Sequence, residues 1–380
     1  VRLVVLKETA PGERRVALTP ESAAKLTAAG WTVVVESDAG KEAAYFDGAY
    51  SEAGAQVAPS DSEALKGADL VVTVAAPPPS LCKALPEGVS TLSFFSPAQN
   101  VESLAILASK GATVYSFDLL PRISRAQSMD ALSSQATVSG YRAALAGATE
   151  LGRFFPMLMT AAGTIAPAKV LVMGVGVAGL QAIATARRLG AVVRAYDVRA
   201  AAREEAESLG ATFVDLGIAA EGTGGYAREL SPEELAAQQQ ALAAEVARAD
   251  VVITTASVPG RKAPILVTKE MVDAMAPGAI VVDMAADSGG NCEASVAGET
   301  VEISGTLVVG LSNPPAGMPT HASALYGKNV VNLVNLLAPN GTLSPDENDE
   351  IVAGTCLLRN GSAVHAAAQS ALSSAGKGGS

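Results

Sequence analysis

The chain is short of the side chains that carry most acid–base, redox and metal chemistry. Its 380 residues include two histidines, three cysteines and one tryptophan, and aromatic residues make up only 4%. Cys82, Cys292 and Cys356 are odd in number and far apart, which speaks against a disulfide framework and a zinc site and fits a reducing compartment. Basic residues are scarce as well: 27 Lys and Arg stand against 38 Asp and Glu, a net charge of −11. Nucleic acid and anionic membrane surfaces demand clustered Lys and Arg, so neither is expected as a direct partner. Long apolar runs are missing too. The longest uncharged stretch, 170–186, is broken by Gly174, Gly176 and Gly179, and it falls short of the ~20 apolar residues that cross a bilayer. No secretory signal opens the sequence. Starting at Val1, the chain is expected to be trimmed or processed, and SSAGKGGS (373–380) reads as a flexible tail or linker.

What is present is a 49% hydrophobic content, enough for one large or two medium domains with a core of Ala, Val, Leu and Ile. Strand and helix patterns alternate. RLVVL (2–6), WTVVVE (31–36), ADLVVTV (68–74), STLSFF (90–95) and ATVYSFD (112–118) read as strands. TPESAAKLTAAG (19–30) reads as a helix with Thr19 as N-cap, Pro20 in the first turn and Gly30 as stop, and ESLAILASKG (102–111) as another. A second strand series comprises 169–174, 191–197, 211–215, 249–256, 278–285 and 306–311. Val and Ile runs without alternation imply strands covered on both faces, and strand–helix alternation implies parallel sheets. GADLVVTVAAPPP (67–79) echoes RADVVITTASVPG (248–260). The expected architecture is therefore α/β, with two Rossmann-like doubly wound domains and a cleft between them. Residues 1–133 plus 318–380 form the first domain and 134–317 the second. The Ala-rich stretch 131–167 is expected to hold a long connecting helix, 325–337 a further helix, and 355–366 a β-hairpin around Asn360-Gly361.

GVGVAG (174–179) has the glycine spacing of a dinucleotide turn. It follows the strand reading at 169–173 and opens a helical pattern, and Asp197 ends the next strand 18 residues beyond Gly179. Gly174 would permit the tight turn, Gly176 would let backbone approach a diphosphate, and Gly179 would let helix and strand pack closely. The helix N-terminus, with Val177 and Ala178, offers amides to phosphate. Asp197 can accept hydrogen bonds from an adenosine ribose and would repel a 2′-phosphate, which favours NAD over NADP. Arg199 nearby pulls the other way. No second such turn exists, so one nucleotide per chain is expected.

RISRAQSMD (122–130) raises a different question. It packs two arginines, a glutamine, two serines and an aspartate into nine positions, with no histidine or cysteine near. RISRAQSMDALSS (122–134), KETAPGERRVALTP (7–20), the segment 159–201, GGYA (224–227), TTA (254–256) and GGNCE (289–293) together carry a resemblance. The chain resembles the NAD(H)-binding domain I of proton-translocating nicotinamide nucleotide transhydrogenase, from about Arg2 to Ala366. That family passes hydride directly between NADH and an NADP⁺ held by a separate domain III, and a membrane domain II (beta subunit) couples the exchange to proton movement. Hydride exchange between two nicotinamide rings releases no proton from substrate, so alignment and exclusion of water suffice. The resemblance implies that Arg122, Gln127, Asp130 and Ser133 surround the nicotinamide and that Tyr226 closes over bound nucleotide from a mobile loop. It further implies cofactor contacts at Arg125, Gly174, Gly176, Val177, Ala178, Gly179, Asp197, Val198, Arg199, Gly225, Gln238, Thr255, Ala256 and Ser257. Ser257 departs from the leucine of many relatives, and Thr73 from a common lysine. The resemblance also implies a homodimer, with the terminal hairpin and the Ala-rich helix as contact elements. It places the chain in the cytoplasm, peripheral at the inner membrane face, or on the matrix or plastid side in a eukaryote.

Two other readings compete. An alanine dehydrogenase-like enzyme must move protons, and the positions where related dehydrogenases place a lysine and a histidine hold Thr73 and, approximately, Phe94. His365, in the terminal hairpin, reads as structural, and so does His321, in the loop before the last long helix. The remaining reading is a non-catalytic NAD-binding subunit, against which the RISRAQSMD loop speaks.

Overall fold

The Val and Ile runs settle into two mostly parallel sheets in the computed structural model, which describes residues 1–216, 231–257, 262–339 and 341–377. The chain divides into two compact units, Val1–Gln135 with Ala316–Ser380, and Ala136–Pro315.

In the first unit the strands lie in the order Ser362–Ala363, Cys356–Arg359, Thr113–Ser116, Ser90–Phe94, Leu70–Ala75, Arg2–Val5, Thr32–Glu36 and Gln56–Ala58. The six N-terminal strands are parallel, and the two C-terminal ones add antiparallel at one edge. Both faces are buried. Leu3 and Val5 enter one apolar cluster with Leu26, Tyr326 and Leu333, while Val4 and Leu6 enter another with Leu104 and Leu357. Such two-sided burial is why these strands read as unbroken apolar runs. The helix Pro20–Ala28 starts as expected, with the Thr19 hydroxyl accepting the Ser22 amide. The terminal hairpin turns on Asn360 and Gly361, both at positive φ (48° and 82°), as a primed two-residue turn requires.

In the second unit the order is Thr212–Phe213, Val192–Tyr196, Lys169–Met173, Val251–Thr254, Ile280–Asp283, Thr306–Gly310 and Thr300–Ile303. All neighbours are parallel except the last pair. When only the parallel strands are numbered, leaving out the antiparallel edge strands, both units follow the same 3-2-1-4-5-6 order, so the echo between 67–79 and 248–260 reflects equivalent places in two like sheets. In each, the order reverses beside the first strand, at Arg2–Val5 and at Lys169–Met173. That reversal opens a crevice at the strands' carboxyl ends, where ligands bind in open α/β sheets.

Three expectations need correction. The Ala-rich stretch is helical only over Ala131–Glu150, and an antiparallel hairpin, Leu158–Thr160 with Gly163–Ile165, follows it. SSAGKGGS is not all tail, because a helix spans Ala366–Lys377. Ala368 and Ala371 are buried in the cluster that also holds Leu104 and Leu107, and this burial outweighs the weak helix propensity of Ser and Gly. His321 lies exposed within the helix Pro319–Leu337 and not in the loop before it. His365 caps the last helix, its Nδ1 accepting the Ala367 amide at 3.1 Å, and partial burial holds its imidazole below the usual pKa.

Candidate functional site

The glycine turn leaves the strand Lys169–Met173 at the second unit's reversal and enters the helix Val177–Arg188. Each glycine does a different job. Gly174 sits at φ +97°, and a Cβ there would stand 2.6 Å from the Thr255 hydroxyl. A Cβ on Gly179 would stand 1.9 Å from the Gly174 carbonyl oxygen, so only hydrogen allows the helix to start this close to the turn. Gly176 has φ −79° and ψ −169°, open to any residue, and a Cβ there would meet nothing within 4 Å. Among the described residues its glycine has no steric reason, and it leaves room for a group from outside. Gly176 is the N-cap and no side chain caps this helix end, so the amides of Val177, Ala178 and Gly179 have no acceptor in the helix. Val177 is exposed and Ala178 half-buried, which keeps this end accessible. Free amides at a positive helix end fit a diphosphate. Gly140 adds a contact with no motif to announce it. A Cβ there would lie 2.0 Å from the Ala178 carbonyl oxygen, so the helix Ala131–Glu150 packs directly on the start of the nucleotide helix.

Asp197 follows the next strand. Its side chain is buried and fully engaged: one oxygen accepts the Val175 amide at 2.7 Å and Arg199 Nη2 at 2.8 Å, the other the Arg199 amide and Nε at 2.9 Å. The Asp197 charge fixes the turn and holds the Arg199 guanidinium in a fork, which raises the pKa of Arg199 further. Sequence reading set these two residues against each other over a 2′-phosphate, whereas the structure pairs them. Val198, half-buried, packs against the cluster of Leu171 and Tyr196. Thr255 donates its hydroxyl to the Gly174 carbonyl at 2.9 Å, tying the turn to the adjacent strand end, while Ala256 is half-buried and Ser257 exposed. Asn291 donates to the Ala256 and Pro264 carbonyls at 2.9 and 2.8 Å, and its buried Oδ1 has no partner among the described residues. Gln238 is also buried. Its amide donates to Tyr196 Oη at 2.9 Å and its Oε1 has no partner among the described residues. Gly225 and Tyr226, with the loop expected to be mobile, lie outside the described residues.

In the first unit RISRAQSMD forms a short 3₁₀ helix, Ser124–Met129, anchored by buried Ala126 and Met129. Arg122 and Gln127 are exposed on the rim of a recess of about 240 Å³ that Ile123, Ser124 and Asp130 also line. Asp130 accepts the Ser133 amide at 2.9 Å and its hydroxyl at 2.5 Å, so two residues expected at the nicotinamide also start the helix Ala131–Glu150. Arg125 grips Asp349 through both terminal nitrogens at 2.7 and 3.0 Å, and its guanidinium holds the Asp349 carboxyl below its usual pKa.

The first unit's own crevice is filled from within. The strand Leu70–Ala75 shifts register against Ser90–Phe94 between Val72 and Ala75, which takes the intervening backbone out of the ladder. Glu8 accepts the Val74 amide at 2.5 Å and the Ala75 amide at 3.3 Å, and Tyr326 donates to the Thr73 carbonyl at 2.8 Å. The Thr73 hydroxyl donates to the Ala75 carbonyl at 2.7 Å. Glu8 keeps some surface open yet sits in a deep recess, and loss of solvent pushes its carboxyl up to about 7, with repulsion from Glu13 adding to the shift. Phe94 packs against Phe117 and Tyr326 at ring distances of 6.0 and 5.4 Å, so this position serves hydrophobic packing. Among the described residues no group of three or more His, Cys, Asp or Glu side chains is placed to hold a metal ion, and no helix is long and apolar enough to cross a membrane.

Two doubly wound sheets, one with a glycine turn open to a diphosphate at its reversal, define a nucleotide-binding protein of the two-domain dehydrogenase type. The model of the alanine dehydrogenase/PNT N-terminal domain matches residues 4–139, and that of the alanine dehydrogenase/PNT C-terminal domain matches 143–366. The chain belongs to this family. It is 45% identical over 381 residues to the first portion of NAD(P) transhydrogenase subunit alpha of Rhodospirillum rubrum, covering 97% of this chain and 98% of that one. A crystal structure of transhydrogenase from Sinorhizobium meliloti superposes with a TM-score of 0.85 at 41% identity, covering 97% of this chain and all (100%) of the other. Alanine dehydrogenase of Mycobacterium tuberculosis is more distant, 31% identical over 326 residues, covering 84% of this chain and 82% of that one.

Proposed function

We propose that this chain is the NAD(H)-binding component of a proton-translocating NAD(P) transhydrogenase. Hydride passes directly between NADH held here and NADP⁺ on a separate domain III, and a membrane domain II (beta subunit) couples the exchange to proton movement. The observation that carries the reading is the space above Gly176, which no atom of the described residues approaches within 4 Å of a Cβ position, beside a helix start without a side-chain cap. In this reading Gly174, Gly176 and Gly179 with Val177 and Ala178 receive the diphosphate. Asp197, Val198, Arg199, Gln238, Thr255, Ala256 and Ser257 serve the adenosine end. Arg122, Gln127, Asp130 and Ser133 orient the nicotinamide, and Gly225 and Tyr226 cover bound nucleotide. Arg125, held by Asp349, acts through the loop's shape. NAD(H) is preferred because Arg199 is already committed to Asp197: greeting a 2′-phosphate would strip a buried carboxylate of its fork.

The reaction requires positioning more than proton transfer. That accords with Thr73 and Phe94 serving backbone and packing roles, and with His365 serving as a helix cap. We also propose a homodimer. To the contact elements expected from the sequence we add the hairpin Leu158–Ile165 and its approach, where Phe154, Met157, Met159 and Ile165 are exposed. A two-stranded hairpin is marginal alone in water and gains from being covered. The assembly places this chain at the cytoplasmic face of the inner membrane, or on the matrix or plastid side in a eukaryote.

The test is to mix the purified chain with an NADP(H)-loaded domain III and follow hydride transfer to an NAD analogue. Transfer is expected only with both proteins present. Tight NADH binding without transfer would favour a non-catalytic subunit, and amino-acid oxidation by the isolated chain would favour the dehydrogenase reading.

A further inference from the structure

The RISRAQSMD loop is held by more bonds than its burial requires, and they converge beside one residue. Ala126 and Met129 already anchor the 3₁₀ helix in the core. Yet Asn329 and Asn332, three residues apart on one face of the helix Pro319–Leu337, both donate their side-chain amides to the Ser128 carbonyl, at 3.0 and 2.9 Å. A carbonyl oxygen has two lone-pair directions, and here each is taken by a different side chain. The preceding carbonyl, that of Gln127, accepts the Asp130 amide at 3.2 Å. Both peptide planes that follow Gln127 are therefore pinned. The Asn329 amide is itself oriented, because its Oδ1 accepts the Ser134 hydroxyl at 2.7 Å, which leaves its NH₂ facing Ser128. Asn329 is buried, so its bonds also serve stability. Asn332 is only half-buried, and its bond to Ser128 lies at the surface. A solvent-exposed hydrogen bond adds little to stability because water replaces it readily. The second amide duplicates an anchor that the fold already has, and what it adds is rotational definition of the backbone next to Gln127.

We propose that Asn329 and Asn332 are positioning residues for hydride transfer: by gripping the Ser128 carbonyl from both sides they fix the backbone that presents Gln127. This assignment rests on the transhydrogenase reading. A displacement of about 1 Å in an aligning group can slow a reaction by ~10²-fold, so a clamp that removes one rotation of a peptide plane is large enough to matter.

The decisive variant is Asn332→Ala, because a half-buried side chain whose hydrogen bond lies at the surface puts folding at little risk. Single-turnover hydride transfer with the NADP(H)-loaded domain III is expected to fall about tenfold. NADH affinity should stay within about twofold, since a bond to the loop backbone adds little to binding. Amide hydrogen exchange should rise at Ser128–Asp130 and nowhere else in the unit. Asn332→Gln, which keeps a side-chain NH₂, should recover part of the rate, and Asn332→Asp, which sets a carboxylate against the carbonyl, should be slower than Asn332→Ala. A full transfer rate in Asn332→Ala and Asn332→Asp while the unmodified chain transfers normally would overturn this assignment alone. A fall in rate matched by an equal fall in NADH affinity would overturn it too, since the residue would then serve binding. Absence of transfer with the unmodified chain would overturn the proposed function and carry this assignment with it.

Discussion

Gly176→Ala separates what the glycine turn needs for folding from what it needs for a ligand. The new Cβ would find nothing within 4 Å, and φ −79° with ψ −169° suits alanine as well as glycine. The residue is the N-cap, where alanine is a poorer choice than glycine by about 0.5–1 kcal/mol. For a unit of this size that lowers the melting temperature by only about 1–4 °C. In the proposed reading the same methyl stands where backbone approaches a diphosphate. Losing one or two charge-assisted hydrogen bonds at about 1.5–3 kcal/mol each weakens NADH binding by roughly tenfold to several hundredfold or more. Gly179→Ala is the contrasting variant. Its Cβ would begin 1.9 Å from the Gly174 carbonyl oxygen, so helix and turn must part, and overpacking of that kind costs about 1–3 kcal/mol or more in the absence of any ligand. Calorimetry and NADH fluorescence titration on both proteins give the comparison. If Gly176→Ala binds NADH like the unmodified chain, the open space is not the nucleotide's place. If it melts as early as Gly179→Ala, the steric reasoning is wrong from the start.

Three further outcomes are expected. Asp197→Asn releases the Arg199 fork, so NADH should weaken while NADPH gains, and an unchanged ratio of the two affinities would reject the specificity argument. Glu8 is raised from 4.5 to about 7, so its favourable contribution is complete below pH 4.5 and is lost as pH rises through 7. The loss is roughly 3–4 kcal/mol at ~1.4 kcal/mol per pH unit, and Glu8→Gln should flatten stability across that window in denaturant titrations at several pH values. Asp349 caps the helix Glu350–Thr355 through the Ile351 and Val352 amides and holds Arg125, so Asp349→Ala should lose about 1–2 kcal/mol, the usual worth of an N-cap, and Asp349→Asn less, by urea denaturation.

Much of this was legible because its causes are local. Thr19 and Pro20 start a helix by bonds to their own neighbours, and Asn360-Gly361 turns a hairpin because both residues accept positive φ. Strands such as Val170–Met173 announce themselves because both faces are buried. What escaped depends on partners distant in sequence. The helix Ala366–Lys377 is stabilised by burial against residues near 104, and the hairpin at 158–165 lies in a stretch whose alanines suggested only helix. At the site, the glycines were readable from spacing, but Gly140 was not, because a lone helical glycine means nothing until the Ala178 carbonyl is seen against it. The same holds for Asn329 and Asn332, some two hundred positions from the carbonyl they grip. Asp197 and Arg199 were both picked out, yet their mutual fork was not, since residues two apart rarely close on each other this tightly.

The filled crevice of the first unit has a consequence of its own. Glu8 is tethered a few residues beyond its strand and occupies the spot an anion would seek at the edge of such a sheet. It acts as a built-in competitor, present at the effective concentration of an attached group. Any negatively charged visitor must evict it and then tolerate it as a neighbour, and that burden grows as the solution becomes more alkaline. In the proposed reading, this is how a chain with two like sheets would be kept to a single guest.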